Sequence, residues 1–247
     1  MGFFKKPDPP RPAPSPPGGV AGIQFIMPKG LGWTVEDVYT LEARGRWEEA
    51  LGRWQQLLAP FHDPVVADRI QDFDSHRHIW LHLGLCARHL GRYDEALRSY
   101  ERAEELARRA GDVRFQAEAI NCIGVVHRNA GRPDTALEDL RRALPMAESL
   151  DDAALTATLH DNIALSYADQ GQLEQARAAS AAAAELVESA GPRITPDVRE
   201  RVLENLGSIL ILLGRREEGE ALLRRALDEA ARAGLRAAEE RVLAKLR

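Results

Sequence analysis

Between Lys29 and Lys245 the chain has no lysine, and cysteine and aromatic residues are nearly as scarce. The two cysteines, Cys86 and Cys122, lack CxxC spacing and are too few for a disulfide scaffold, so a reducing compartment suits the chain. Aromatic residues make up 6% of 247 positions, while hydrophobic content reaches 45% through abundant alanine and leucine, a composition that favours helices. No run approaches the roughly 18 apolar residues of a membrane span, and the opening MGFFKKPDPP has no continuous apolar core of a signal peptide. A formal net charge of −5 argues against a general nucleic-acid binder. The patterns GxxxxGK[ST], GxSxG, HExxH and GxGxxG are missing too. These absences lead us to expect a cytoplasmic protein that is not an enzyme, needs no cofactor, and engages neither nucleic acid nor membrane.

What is present begins with a proline-rich stretch. Residues 1–30 carry Pro7, Pro9, Pro10, Pro12, Pro14, Pro16 and Pro17 followed by Gly18 and Gly19, which cannot form helix. Apolar residues mark both ends, Phe3 and Phe4 at one and Ile23, Phe25, Ile26 and Met27 at the other. The segment reads either as a loose leader or as a docking peptide.

From Thr34 onward helical periodicity takes over, with Thr34 and Asp37 at capping-box spacing. The stretch Arg77–Ala103 holds the plainest pattern: Trp80, Leu83, Gly84 and Ala87 at helix spacing, Gly91 as a break, then Tyr93, Ala96, Leu97, Tyr100 and Ala103. This is a helix, a turn and a helix. Earlier, Gly45, Trp47, Ala50 and Trp54 repeat its second half. Later copies follow at about 40-residue intervals, with the key small residue at Ala50, Ala96, Ala136, Ala176 and Gly219. Five units near 31–64, 77–110, 117–150, 157–190 and 200–233 therefore repeat, and Pro60 to Ser75 forms a linker with a partial helix over 65–73. Repeats of this length predict an all-α solenoid in which each helix pair is buried against its neighbours. Leu235, Ala238, Val242 and Leu246 then lie on one stripe, as a terminal capping helix over 235–247 requires.

The units resemble tetratricopeptide repeats (TPRs), whose Trp, Leu-Gly, Tyr, Ala, aromatic, Ala pattern is met by Trp80, Leu83, Gly84, Tyr93, Ala96, Tyr100 and Ala103. The 40- to 46-residue interval is similar to the longer repeats of kinesin light chains and of bacterial peptide-sensing regulators. Asn162-Ile163-Ala164-Leu165 and Asn205-Leu206-Gly207 resemble an Asn-Leu-Ala/Gly element of those proteins. The resemblance implies a right-handed superhelix whose first helices line a concave groove that takes a peptide or protein segment.

Carrying the family's groove positions onto this chain selects His78, His82, Arg88 and His89 in the second unit and Asn121, Arg128 and Asn129 in the third. It selects Asp161 and Asn162 in the fourth, and Arg201 and Asn205 in the fifth. A carboxamide both donates and accepts, so Asn162 and Asn205 suit the peptide units of an extended chain. Arg88 and Arg128, with histidines nearby, suit an acidic side chain or a terminal carboxylate. The full lysine clamp of chaperone-binding TPR proteins is missing.

A second constellation, Asp72, Asp74, His76, His78 and His82, places His78 and His82 four apart on a predicted helix, where they could share a metal. Cys122 and His127, five apart, point in different directions and make a poor nucleophile and base pair. Arginine pairs such as Arg108-Arg109 and Arg224-Arg225 alternate with acidic residues and read as solvated faces. Three functions remain open: a scaffold or adaptor binding a protein segment in the groove, a regulator that responds to a peptide, and a metal-dependent enzyme built on His76, His78 and His82.

Overall fold

The computed structural model describes residues 32–62 and 73–247, so the proline-rich stretch and most of the expected partial helix over 65–73 lie outside the described residues. Eleven α-helices and no strand occur among them. The fold is an all-α solenoid: ten helices follow the helix–turn–helix order of five repeats, and one more closes the series.

Two compact units divide the chain, the first ending at Ala130 and the second starting at Gly131. The first contains α1 (Val35–Ala43), α2 (Trp47–Leu58), a 3-10 turn at Ala59–His62, α3 (Phe73–His89), α4 (Tyr93–Ala110) and α5 (Val113–Asn129). The second contains α6 (Pro133–Ser149), α7 (Ala153–Asp169), α8 (Leu173–Ala190), a 3-10 turn at Gly191–Arg193, α9 (Pro196–Leu212), α10 (Arg216–Ala233) and α11 (Arg236–Leu246). The boundary falls inside the third repeat. Helix α3 also starts at Phe73, one turn before the Arg77 at which the repeat pattern becomes readable.

Local chemistry explains where these helices start and stop. At α1, Thr34 Oγ1 accepts from the Asp37 amide at 3.3 Å while the Thr34 amide donates to Asp37 Oδ2 at 2.7 Å, a complete capping box. Asp112 and Asp152 cap α5 and α7 by accepting from the amides of Phe115 and Leu155 at 2.9 and 3.0 Å. The turn inside a repeat reuses one pair of bonds. Gly91 N–H donates to the Arg88 carbonyl at 3.1 Å and Arg92 N–H to the Ala87 carbonyl at 2.9 Å, with Gly91 at φ 72°. The same closure recurs around Gly45, Gly171 and Gly214, because only glycine enters the left-handed region at no steric cost.

Packing sets the small positions. A Cβ on Gly84 would lie 2.7 Å from the ring of Tyr100, itself fully buried, so the second repeat closes around that one contact. In the fifth repeat a Cβ on Gly219 would lie 2.6 Å from the Gly207 carbonyl, and one on Gly207 would lie 2.8 Å from the Gly219 carbonyl. Backbones α9 and α10 meet there, and that close approach is why glycine replaces the expected alanine. Helix α11 buries Ala238 and Val242, with Val242 packed among Leu203, Leu223 and Ala226, as the capping stripe anticipates.

Candidate functional site

Each first helix presents polar residues at every third or fourth position, and burial sorts them into two kinds. Some are partly exposed. Others are closed into the structure by a buried carboxylate.

In the first unit that carboxylate is Glu42 of α1, which is 3% exposed. It accepts from Trp54 Nε1 at 2.7 Å and bonds to Nδ1 of His82 at 3.0 Å, with the Cys86 thiol at 3.6 Å. His82 stacks on the Trp54 ring at 4.6 Å and tilts against Tyr39 at 5.2 Å. Burial, aided by the Glu42 charge, pushes the Tyr39 hydroxyl up to about 12 and the Cys86 thiol far up as well. His82 is therefore a structural partner of Glu42, locked between α1 and α2.

His89 also belongs to the interior. It is 8% exposed and lies flat on Trp47 at 3.7 Å. Arg88 has only donors, so its NH2 group, 3.2 Å away, makes His89 Nε2 an acceptor and leaves the proton on Nδ1, which is buried without a partner. Burial first, and the Arg88 charge second, push the His89 pKa down to about 3. The expectation of a histidine that helps hold an anion fails here, because this ring is neutral. Arg88 also reaches the buried hydroxyl of Tyr100, beside Cys122, whose thiol burial pushes up to about 11. On α5, Asn121, Arg128 and Asn129 are partly exposed.

The second unit repeats the device with ions. Asp161 of α7, fully buried, receives Arg201 Nε at 3.2 Å and Asn205 Nδ2 at 2.9 Å, both from α9, and Arg201 also donates to Thr158 Oγ1 at 3.1 Å. Glu204 of α9, fully buried, receives Arg241 Nε at 2.9 Å and Lys245 Nζ at 2.7 Å from α11. A second NH of Arg241 bonds to Glu200 at 3.0 Å. In all three places the donors are four residues apart on the next first helix: His82 and Cys86, Arg201 and Asn205, Arg241 and Lys245. The two asparagines selected from sequence thus separate. Asn162 stays partly exposed, whereas Asn205 is 2% exposed and its amide group is held by Asp161.

Sequence reasoning missed Glu42, Glu200 and Arg241. A usable signal existed, since Asp161 and Arg201, and Glu42 and His82, are each 40 residues apart, close to the 40- to 46-residue repeat interval.

The histidine constellation is dispersed. Nε2 of His76 accepts from Trp80 Nε1 at 3.0 Å and its ring stacks on Phe61, His78 meets the edge of Phe115 at 4.8 Å, and His82 bonds to Glu42. Among the described residues no three side chains are grouped to hold a metal ion; Asp72 lies outside them. Nor, among the described residues, is any helix long and apolar enough to cross a membrane.

Sequence profiles of the tetratricopeptide repeat match residues 76–149, 115–189 and 200–232, together more than half of the chain. The chain belongs to the tetratricopeptide repeat family. No curated protein matches it in sequence. Among solved structures, this TPR protein is similar to BtubC (BKLC) from P. vanneervenii, with a TM-score of 0.63, 20% identity, and 81% of each chain covered. It is also similar to a kinesin light chain with nearly identical TPR-like repeats from Podosopora anserina, with a TM-score of 0.59, 15% identity, and 81% and 93% covered. A third is a Rap protein complexed with competence and sporulation factor, with a TM-score of 0.64, 16% identity, and 85% of this chain covered. Our chain spans 57% of that Rap protein's length. At 15–20% identity these likenesses show a shared TPR solenoid fold.

Proposed function

We propose that this TPR protein is a non-catalytic cytoplasmic adaptor that binds an extended peptide or protein segment on the first-helix face. The observation that carries this reading is the contrast in burial among groove positions. His89 and Asn205 are buried, and the buried carboxylates of Glu42 and Asp161 bond to His82, Arg201 and Asn205, while Arg88, Asn121, Arg128 and Asn129 of the first unit and Asn162 of the second are partly exposed. Carboxamides with arginines match the peptide units and an acidic side chain or terminal carboxylate of a bound segment. The Rap relative was captured with competence and sporulation factor, which supports a peptide as the class of ligand.

Capture of partners by immobilised wild type, Arg128→Ala/Asn129→Ala and Asn162→Ala, read by mass spectrometry, tests this. Partners lost from either variant with an unchanged melting temperature support the groove. Full retention by both overturns it. Asn205→Ala is a poor probe, because it also removes a donor from Asp161.

A further inference from the structure

Helix α11 repeats the centre of α9. Glu240-Arg241-Val242-Leu243-Ala244-Lys245-Leu246 stands 40 residues after Glu200-Arg201-Val202-Leu203-Glu204-Asn205-Leu206, and five of the seven residues are the same. By register α11 is the first helix of a sixth repeat, and it uses only one face to close the fifth. Val242 is fully buried on that face, as Val202 is in α9. The next position differs. Leu203, packed with Leu223 and Ala226 of α10, is 3% exposed, whereas Leu243 is 41% exposed because no described element covers it.

Two replacements set what can lie on this open face. Ala244 stands where α9 has Glu204, so α11 offers no buried carboxylate to a following first helix. Arg247 stands where α9 has Gly207, at which a Cβ would lie 2.8 Å from the Gly219 carbonyl of α10. A side chain at that register holds an ordinary second helix away. What α11 presents instead is Glu240, Leu243, Ala244 and Arg247, all exposed and spaced i, i+3, i+4 and i+7 along one stripe.

We propose that this stripe binds a second copy of the chain, with the two α11 helices antiparallel across a two-fold axis. In that direction the stripe is complementary to itself. With the axis between Leu243 and Ala244, each Leu243 lies over the partner's Ala244 and each Glu240 meets the partner's Arg247. A parallel pairing sets Glu240 against Glu240 and Arg247 against Arg247. A patch this small makes a weak dimer that depends on concentration.

Sedimentation equilibrium of the full chain from about 1 µM to about 1 mM tests the proposal. Wild type should pass from monomer to dimer over this range. Glu240→Arg and Arg247→Glu should each weaken association about tenfold or more, because each variant opposes like charges at both contacts. Mixing the two variants should restore it, since every contact then joins opposite charges. Leu243→Ser should weaken it too, and all three changes fall on exposed positions, so melting temperatures should hold. Wild type that stays monomeric, association unchanged in either charge variant, or a mixture no better than its components would overturn the proposal. So would a chain that remains monomeric and uses Leu243 to bind a helix of another protein.

Discussion

The start of the first unit and the end of the second both bury carboxylates between successive first helices, and they neutralise them differently. Glu42 sits among aromatic rings and is met by an indole N–H, an imidazole and a thiol. Glu200 and Glu204 are met by Arg241 and Lys245. A carboxylate held mainly by hydrogen bonds within aromatic packing resists screening by salt, whereas α11 depends on cations that are 22% and 32% exposed at the side chain. The same geometric device therefore gives one end an aromatic lock and the other an electrostatic one.

Breaking the electrostatic lock has the largest expected effect. Arg241→Ala removes the guanidinium shared by the buried carboxylates of Glu200 and Glu204 and costs about 3–5 kcal/mol. Thermal melting should fall steeply, and hydrogen exchange over Arg236–Leu246 should rise to the level of a detached helix. Exchange unchanged there would mean that Ala238 and Val242 suffice to hold α11.

Glu42→Leu should cost less, about 1–3 kcal/mol, since the Trp54 indole N–H then loses its buried acceptor. A melting series in 0.1 and 1 M salt sharpens the contrast: exchange at α11 should accelerate with salt while exchange at α1 does not.

His89 offers a pH test of the aromatic end. Its folded pKa, about 3, lies below the unfolded value near 6.5, so only the unfolded chain takes up the proton between those values. Its contribution therefore destabilises the fold as pH drops through 6.5 toward 3. His89→Phe keeps the stack on Trp47 and should flatten the loss of stability over that window; an unchanged slope would assign the acid sensitivity to other groups. The smallest effect is expected for Lys245→Ala, below about 1 kcal/mol, because its amine is partly solvated and Arg241 remains.

Much of the fold was legible because its cues act over a few residues. Thr34 and Asp37 cap α1 as their spacing suggests, and Gly91 closes its turn with the bonds that its sequence position implies. Gly219 was visible as an exception, but its reason, the Gly207 carbonyl, lies on another helix. The candidate site was legible only in part. Asn162 and Asn205 share one local motif, yet one is partly exposed and the other holds Asp161, because the residue facing each belongs to a neighbouring repeat.

The amino-acid sequence alone determined the repeat, its turns, the helix caps and the family, since periodicity and backbone preference are local properties. Tertiary structure alone decided which groove residues remain open. Pairing across 37 to 44 residues depends on how first helices stack, and a buried carboxylate must be satisfied by whatever donors that stacking brings to it.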